Sequence, residues 1–400
     1  MKNTPLFVFG LSLLALGAIH AAPVQRATVR VTNPDSSLAR PGEVVVIPFA
    51  EVRKLIPDVK MHHVAIRDAK GGLVPLQVTN FLPDDRRALY DDLVFQVNFA
   101  AGEKEAVFSV ETTDEPVAPF PALVSARYVP ERLDDFAWEN DRLGHRIYGQ
   151  GLATAAAGGS RMISSGLDVW SKKVRYPIVD RWYNKGHDAY HVDTGEGQDL
   201  YSVGTTRGCG GTGIWEGDRL WVSHNWKTQH VLANGPIRAV FDIGYDAWQA
   251  GPRWVTESKR FIVDAGRNLD EIVSTFTVQK DAAIVVAVGI GKPSDAKVTK
   301  VTRDEKGRFL SVWQTYPKGG SSIGCGIVLP PDAEFAGFAE DDQNYLVLAK
   351  VKSGTPLRYY AGAAWDRSGD FADVAAWEAY LSAFSTRLQS PVKAVLSAAP

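Results

Sequence analysis

Two histidines, a tyrosine and an aspartate stand close together near the middle of the chain, as His187-x-x-Tyr190-His191-x-Asp193. Such a set can supply a base, an acid and a group that orients the base. The same H-x3-H-x-D spacing could hold a divalent metal through two imidazoles and a carboxylate. Gly186, Gly195 and Gly197 bracket it, which favours a loop over a helix. The surrounding window, residues 136–215, reads FAWENDRLGHRIYGQG, then SGLDVWSKKVRYPIVDRWY, then NKGHDAYHVDTGEGQDLYSVGTTRGCGGTGIW. Four tryptophans and five tyrosines are interleaved with its acids and bases. A core segment would be mostly aliphatic and a disordered one poor in aromatics. Rings beside charged groups and glycine turns fit a sugar site, where flat sugar faces stack and hydroxyls meet charge.

Three further constellations share the window. Trp138-Glu139-Asn140-Asp141-Arg142 is followed by Arg146, giving a ring platform and bidentate partners; an internal ion pair explains the same residues. In Gly166-Leu167-Asp168-Val169-Trp170, Asp168 and Trp170 share a strand face, with Lys172 and Lys173 following to receive a uronate carboxylate. Arg207, beside Gly208-Cys209-Gly210-Gly211, reads as a carboxylate clamp or as a buried structural arginine. The expectation is one concave pocket. His187, Tyr190, His191 and Arg207 would be catalytic there, with Trp138, Glu139, Arg146, Asp168, Trp170, Lys173 and Trp182 binding substrate. His187 or His191 would be the base and Tyr190 its partner or the acid. No GxSxG and no P-loop occurs. No organic cofactor is expected.

The elements that must carry these groups are strands. Residues 23–115 run as short alternating segments, ATVRVTN, EVVVIPF, HHVAIRD, DLVFQVNF and AVFSVET, between turn clusters; they predict a small N-terminal β domain. The proline-rich EPVAPFPALV, residues 115–124, marks a boundary. Residues 125–395 are again strand-rich with frequent turns, predicting a large antiparallel β-sandwich. Only DVAAWEAYLSAFSTRL, residues 373–388, has helical period, with Val374, Trp377, Tyr380, Leu381 and Phe384 on one face. The fold class is therefore all-β with one C-terminal helix.

The N-terminus, a lysine followed by an apolar run and small residues, reads as a signal peptide over residues 1–22. The expected location is periplasmic or secreted. A net charge of −2 gives no case for nucleic acid or for an anionic membrane surface as partner. Cys209 and Cys325 sit in glycine-flanked contexts and could pair in an oxidising compartment.

FAWENDRLGHRIYG, SGLDVW, YHVDTGEGQDLYSVG, RGCGGTGIW and YYAGAAWDRSGDF together resemble a bacterial family of exported proteins of about this chain's length. It is classed as a domain of unknown function and found among polysaccharide-degradation genes. The resemblance implies a galactose-mutarotase-like sandwich and a sugar substrate. The chemistry points to uronic-acid-containing oligosaccharides attacked by β-elimination or dehydration. A glycoside hydrolase with paired carboxylates, or a non-catalytic carbohydrate-binding protein, would use many of the same residues.

Overall fold

The computed structural model describes residues 25–81, 90–154, 161–278, 282–317 and 320–399. The expected signal peptide lies outside them. The described residues form five sheets, and every ladder between their strands is antiparallel. No helix among them is long and apolar enough to cross a membrane.

Two sheets make a small N-terminal layer pair. In Arg26–Thr32 alternate residues are buried, so Ala27, Val29 and Val31 meet Phe95, Phe108 and Val110 in one core. The chain returns to this unit at its end, where Lys393–Ala398 pairs with Arg26–Thr32. The boundary drawn at residue 395 thus falls inside a strand of the N-terminal unit. Buried Arg40 ties the return by donating to the Ser390 carbonyl at 2.6 Å.

The large sandwich is centred on a nine-stranded sheet that includes Arg253–Asp264, Leu269–Val278, Pro356–Trp365 and Ser321–Val328. On one face it shares a core with two five-stranded sheets, through Phe241, Phe261, Val286, Cys325 and Trp138. On the other face lies the helix Val374–Gln389, whose first turn is capped by Asp373 accepting from the Ala376 amide at 2.9 Å. Period two explains the division. Ile323, Cys325 and Ile327 enter the sandwich core, while Gly324 and Gly326 face the helix and leave room for Trp377 and Leu381.

Cys209 and Cys325 are buried free thiols on strands of two different sheets that share the large core. The Cys209 thiol donates to the Gly362 carbonyl at 3.0 Å, and Gly362 pairs with Gly326, next to Cys325.

A methyl group added at Gly326 would lie 2.7 Å from the Trp377 ring. Gly326→Ala should therefore destabilise the protein by about 1–3 kcal/mol through overpacking. Chemical denaturation checks this, and an unchanged midpoint would contradict the packing of the helix on that face.

Candidate functional site

One of the five-stranded sheets carries the candidate site. Its central strands are Asp135–Glu139, Leu143–Ile147 and Asp168–Lys172, buried along their whole length. Their alternation separates two jobs. Phe136, Trp138, Leu143, Ile147 and Val169 enter the large core. Asp135, Arg146, Asp168 and Trp170 point the other way, beneath the helix Val179–Lys185 and the turn Ala189–His191.

Arg146 is the hub of that face. The register sets it opposite Asp168. It donates to Asp168 Oδ2 at 2.6 Å, to Asp199 Oδ2 at 2.8 Å and to the Tyr190 hydroxyl at 3.2 Å, and Asp135 Oδ2 lies 3.9 Å away. Its guanidinium also sits 5.3 Å from the Trp170 ring and 5.5 Å from that of Tyr148. Burial alone would disfavour the charge on Arg146, but Asp199 and Asp168 outweigh it and hold the guanidinium firmly protonated. The carboxylates fare differently. Three of them share one saturated arginine, so burial, and then Asp168, pushes Asp199 well above the usual carboxyl range. Asp135 is raised to about 6, chiefly by burial.

These groups form one wall of a cavity of about 1150 Å³. Arg132, Asp135, Arg146, His187, His191 and Asp199 line it on the polar side; Leu133, Leu152, Met162, Val192 and Leu200 supply apolar surface; Tyr201, Asp295, Tyr316 and Arg367 are among the other lining residues. Asp199 Oδ1 is buried with no hydrogen-bond partner among the described residues. An unpartnered carboxyl oxygen in a cavity wall is a place for a ligand hydroxyl.

The hydrogen bonds of the two histidines assign opposite tautomers. His187 Nδ1 meets the Tyr190 hydroxyl at 2.8 Å and Arg132 Nη2 at 3.0 Å. An arginine can only donate, so Nδ1 accepts and the ring proton sits on Nε2. Burial, then the charge of Arg132, lowers the His187 pKa, so its ring is neutral near pH 7. His191 Nδ1 faces the Asp199 carbonyl oxygen at 3.0 Å. A carbonyl can only accept, so Nδ1 carries a proton, and in the neutral ring Nε2 holds the lone pair. The two rings stand edge to face, centroids 4.9 Å apart.

The predicted residues separate into three groups. His187, His191 and Arg146 line the cavity. Tyr190, Asp168, Trp170 and Trp182 stand behind it. Trp170 stacks on Tyr190 at 5.1 Å and on Trp182 at 5.5 Å, so these rings support the wall and are not sugar platforms. Tyr190 reaches the cavity only through His187 and the arginines.

The remaining residues are structural. Trp138 is on the core face, stacked on His145 and donating to Asp270 at 2.7 Å. Glu139 accepts from the Ile178 and Val179 amides at the start of the helix Val179–Lys185 and pairs with buried Lys172 at 2.7 Å. Lys173 is paired with Asp193, whose side chain helps line the cavity. Arg207 does not line the cavity. It is buried elsewhere, donating to Ser165 Oγ at 2.8 Å, and burial brings its pKa down to about 10. The glycine run beside it serves close backbone packing. At Gly208, with φ +59°, a Cβ would fall 2.0 Å from the Leu167 carbonyl oxygen.

Among the described residues no three His, Cys, Asp or Glu side chains gather as a metal site. Within the H-x3-H-x-D segment, Asp193 is paired with Lys173, and both histidines are held through Nδ1. Arg132, Asp135, Asp295 and Tyr316 escaped the sequence reading. Asp135 had one signal, its even spacing from Glu139 on a strand.

An all-β sandwich with a buried arginine–carboxylate wall and two cavity histidines is thus the class that fold and site define. The chain belongs to the family described as "Domain of unknown function (DUF4861)", whose model matches residues 31–394. It is 29% identical over 326 residues to the uncharacterized protein P7 of Formosa agariphila, covering 79% of this chain and 80% of that one. In structure it is similar to an alpha-mannosidase from Enterococcus faecalis, with TM-score 0.50, 12% identity and 93% of this chain covered. A protein of glycosyl hydrolase family 38 from the same organism gives the same TM-score and identity. The chain spans only 46% and 47% of those two proteins, and the likeness is one of fold.

Two outcomes follow from the wall. Arg146→Met should cost about 3–5 kcal/mol, because it strands buried carboxylates; a melting temperature within 2 °C of wild type, roughly within measurement scatter, would contradict the hub. The folded pKa of Asp135, about 6, lies above its ordinary 3.8. Its stabilising contribution is therefore full below pH 4 and is lost as pH rises through 6. Relative to Asp135→Asn, the wild type should lose about 2–3 kcal/mol between those limits. Parallel denaturation curves at both pH values would refute the shift.

Proposed function

We propose that this protein is an exported carbohydrate-active enzyme that acts on uronic-acid-containing oligosaccharides by β-elimination. The observation that carries the reading is the pair of opposite histidine tautomers beside cavity arginines. His191 offers a lone pair at Nε2, while His187 offers an N–H from its own Nε2.

The chemistry runs as a balanced proton and electron count. Cationic and N–H donors on the wall neutralise the substrate carboxylate, which makes the C5 proton acidic. His191 Nε2 takes that proton. The released electron pair forms the C4=C5 double bond as the C4–O bond breaks. The leaving oxygen takes a proton from Asp199, whose buried carboxyl favours its protonated form. Neutral His187 stabilises the charge that develops on the carboxylate, and Tyr190 holds His187 in that tautomer. A cavity of this size suits an oligosaccharide, being above the usual range for small-molecule sites of about 300–1,000 Å³. The fold shared with an alpha-mannosidase agrees with a sugar substrate.

A second reading has one observation in its favour: Asp135 and Asp199 are both cavity carboxyls with raised pKa values, as a general acid in a glycoside hydrolase requires.

A panel of uronate oligosaccharides, read for unsaturated-uronate absorbance together with reducing ends, separates the two. Elimination gives both signals in step; hydrolysis gives reducing ends alone. His191→Ala should lower turnover by about 10²–10⁴-fold, the usual worth of a general base, with melting unchanged. Full activity in that variant would sink the mechanism.

A further inference from the structure

We infer that Arg132 is the residue that recognises the acidic group of the substrate, and that the left-handed turn Leu133–Asp134 is built to aim it into the cavity. The inference rests on the uronate reading above and names the side chain that makes the site selective.

Arg146 cannot serve, because Asp168 and Asp199 already occupy its nitrogens. Arg132 is different. Its hydrogen bonds go to two uncharged groups, the Tyr190 hydroxyl at 3.4 Å and His187 Nδ1 at 3.0 Å. Among the described residues it makes no ion pair. Asp135 and Asp199 feel its charge only from beyond ion-pair distance, so a half-buried guanidinium with no carboxylate in contact, in a cavity wall, is a receptor for an anion. Its planar fork matches a carboxylate in a way that no sugar hydroxyl does. Beside it, His187 supplies a further N–H.

The backbone shows how the guanidinium is placed. Residues 132 and 135 are an odd number of positions apart, so in an extended strand their side chains would point to opposite faces. Both line the cavity. The turn between them makes this geometry, with Leu133 at φ 54° and Asp134 at φ 64°, neither a glycine. Such residues are strained there and persist only where their surroundings hold them.

The surroundings do hold them. The Leu152 amide donates to the Leu133 carbonyl at 3.0 Å. The Gly151 amide donates to Asp134 Oδ2 at 2.9 Å, and the Tyr128 hydroxyl donates to Asp134 Oδ1. The turn also presses on two glycines: a Cβ at Gly149 would lie 2.0 Å from the Asp134 carbonyl oxygen, and one at Gly151 2.8 Å from that of Leu133. Strain is thus kept between two cavity residues, and a close backbone contact locks it.

The test is calorimetric binding in the His191→Ala background, which prevents turnover. The probes are oligoglucuronate and oligogalacturonate, each against its carboxyl-reduced, neutral counterpart. The expected result is a preference of about ten-fold or more for the acidic form, as for a site built around one polar group of its ligand. Adding Arg132→Met should erase that preference, bringing the acidic and neutral probes to equal affinity, and Arg132→Lys should restore part of it. Leu133→Gly, which relaxes the turn without touching the guanidinium, should reduce the preference several-fold at an unchanged melting temperature. Should Arg132→Met not fold, Arg132→Lys and Leu133→Gly decide by the same measure. Equal affinity of the parent protein for acidic and neutral probes, binding of neither, or a full preference retained without Arg132 would each overturn the inference. Loss of preference in a protein whose wild type releases reducing ends without unsaturated product would uphold Arg132 and remove the elimination reading alone.

Discussion

A single buried positive charge organises this molecule's cavity. Arg146 sits where three aspartates converge, donating to two of them and lying 3.9 Å from the third. Asp168 comes from the neighbouring strand, Asp199 from the segment after the Ala189–His191 turn, and Asp135 from the strand on the other side. One guanidinium thus ties three separate stretches of chain into a wall. Burial, with Asp168 adding to it, keeps Asp199 and Asp135 above their ordinary range despite the shared arginine. The same constraint places the histidines, since Tyr190, bonded to Arg146, is also the partner of His187, and Asp199 supplies the carbonyl that orients His191.

The rest of the fold supplies rigidity to that wall. Trp170, Trp182 and Tyr190 stack behind it, and Glu139 with Lys172 pins the covering helix to the sheet. The aromatic density of the window therefore serves support more than substrate stacking. The cavity's own apolar surface comes from Leu133, Leu152, Met162, Val192 and Leu200, residues without any distinguishing sequence context.

Much of the architecture was legible in the chain because it rests on local period. Alternation gave the strands, and one stripe of Trp377, Leu381 and Phe384 gave the C-terminal helix. The histidine pair was legible too, because residue type and spacing carry it. Arg207 misled because a glycine run signals close approach without saying to what, and here the backbone approaches its own chain. Arg132 and Asp135 were hidden because their shared direction depends on a left-handed Leu133–Asp134 turn that lacks a glycine to announce it. The return of Lys393–Ala398 to the first strand was hidden for another reason, being a pairing between the two ends of the chain. Burial and spatial pairing of charges, which decide what a carboxylate or arginine does, have no local signature at all.

The central claim is that His191, poised on this wall, removes a proton from carbon next to a carboxylate. Proton NMR of a uronate oligosaccharide with the purified protein reads that event directly. The account predicts loss of the C5 proton signal matched by a new vinylic signal from C4 of the product, both absent with His191→Ala. New reducing-end anomeric signals with every C5 proton still in place would contradict it.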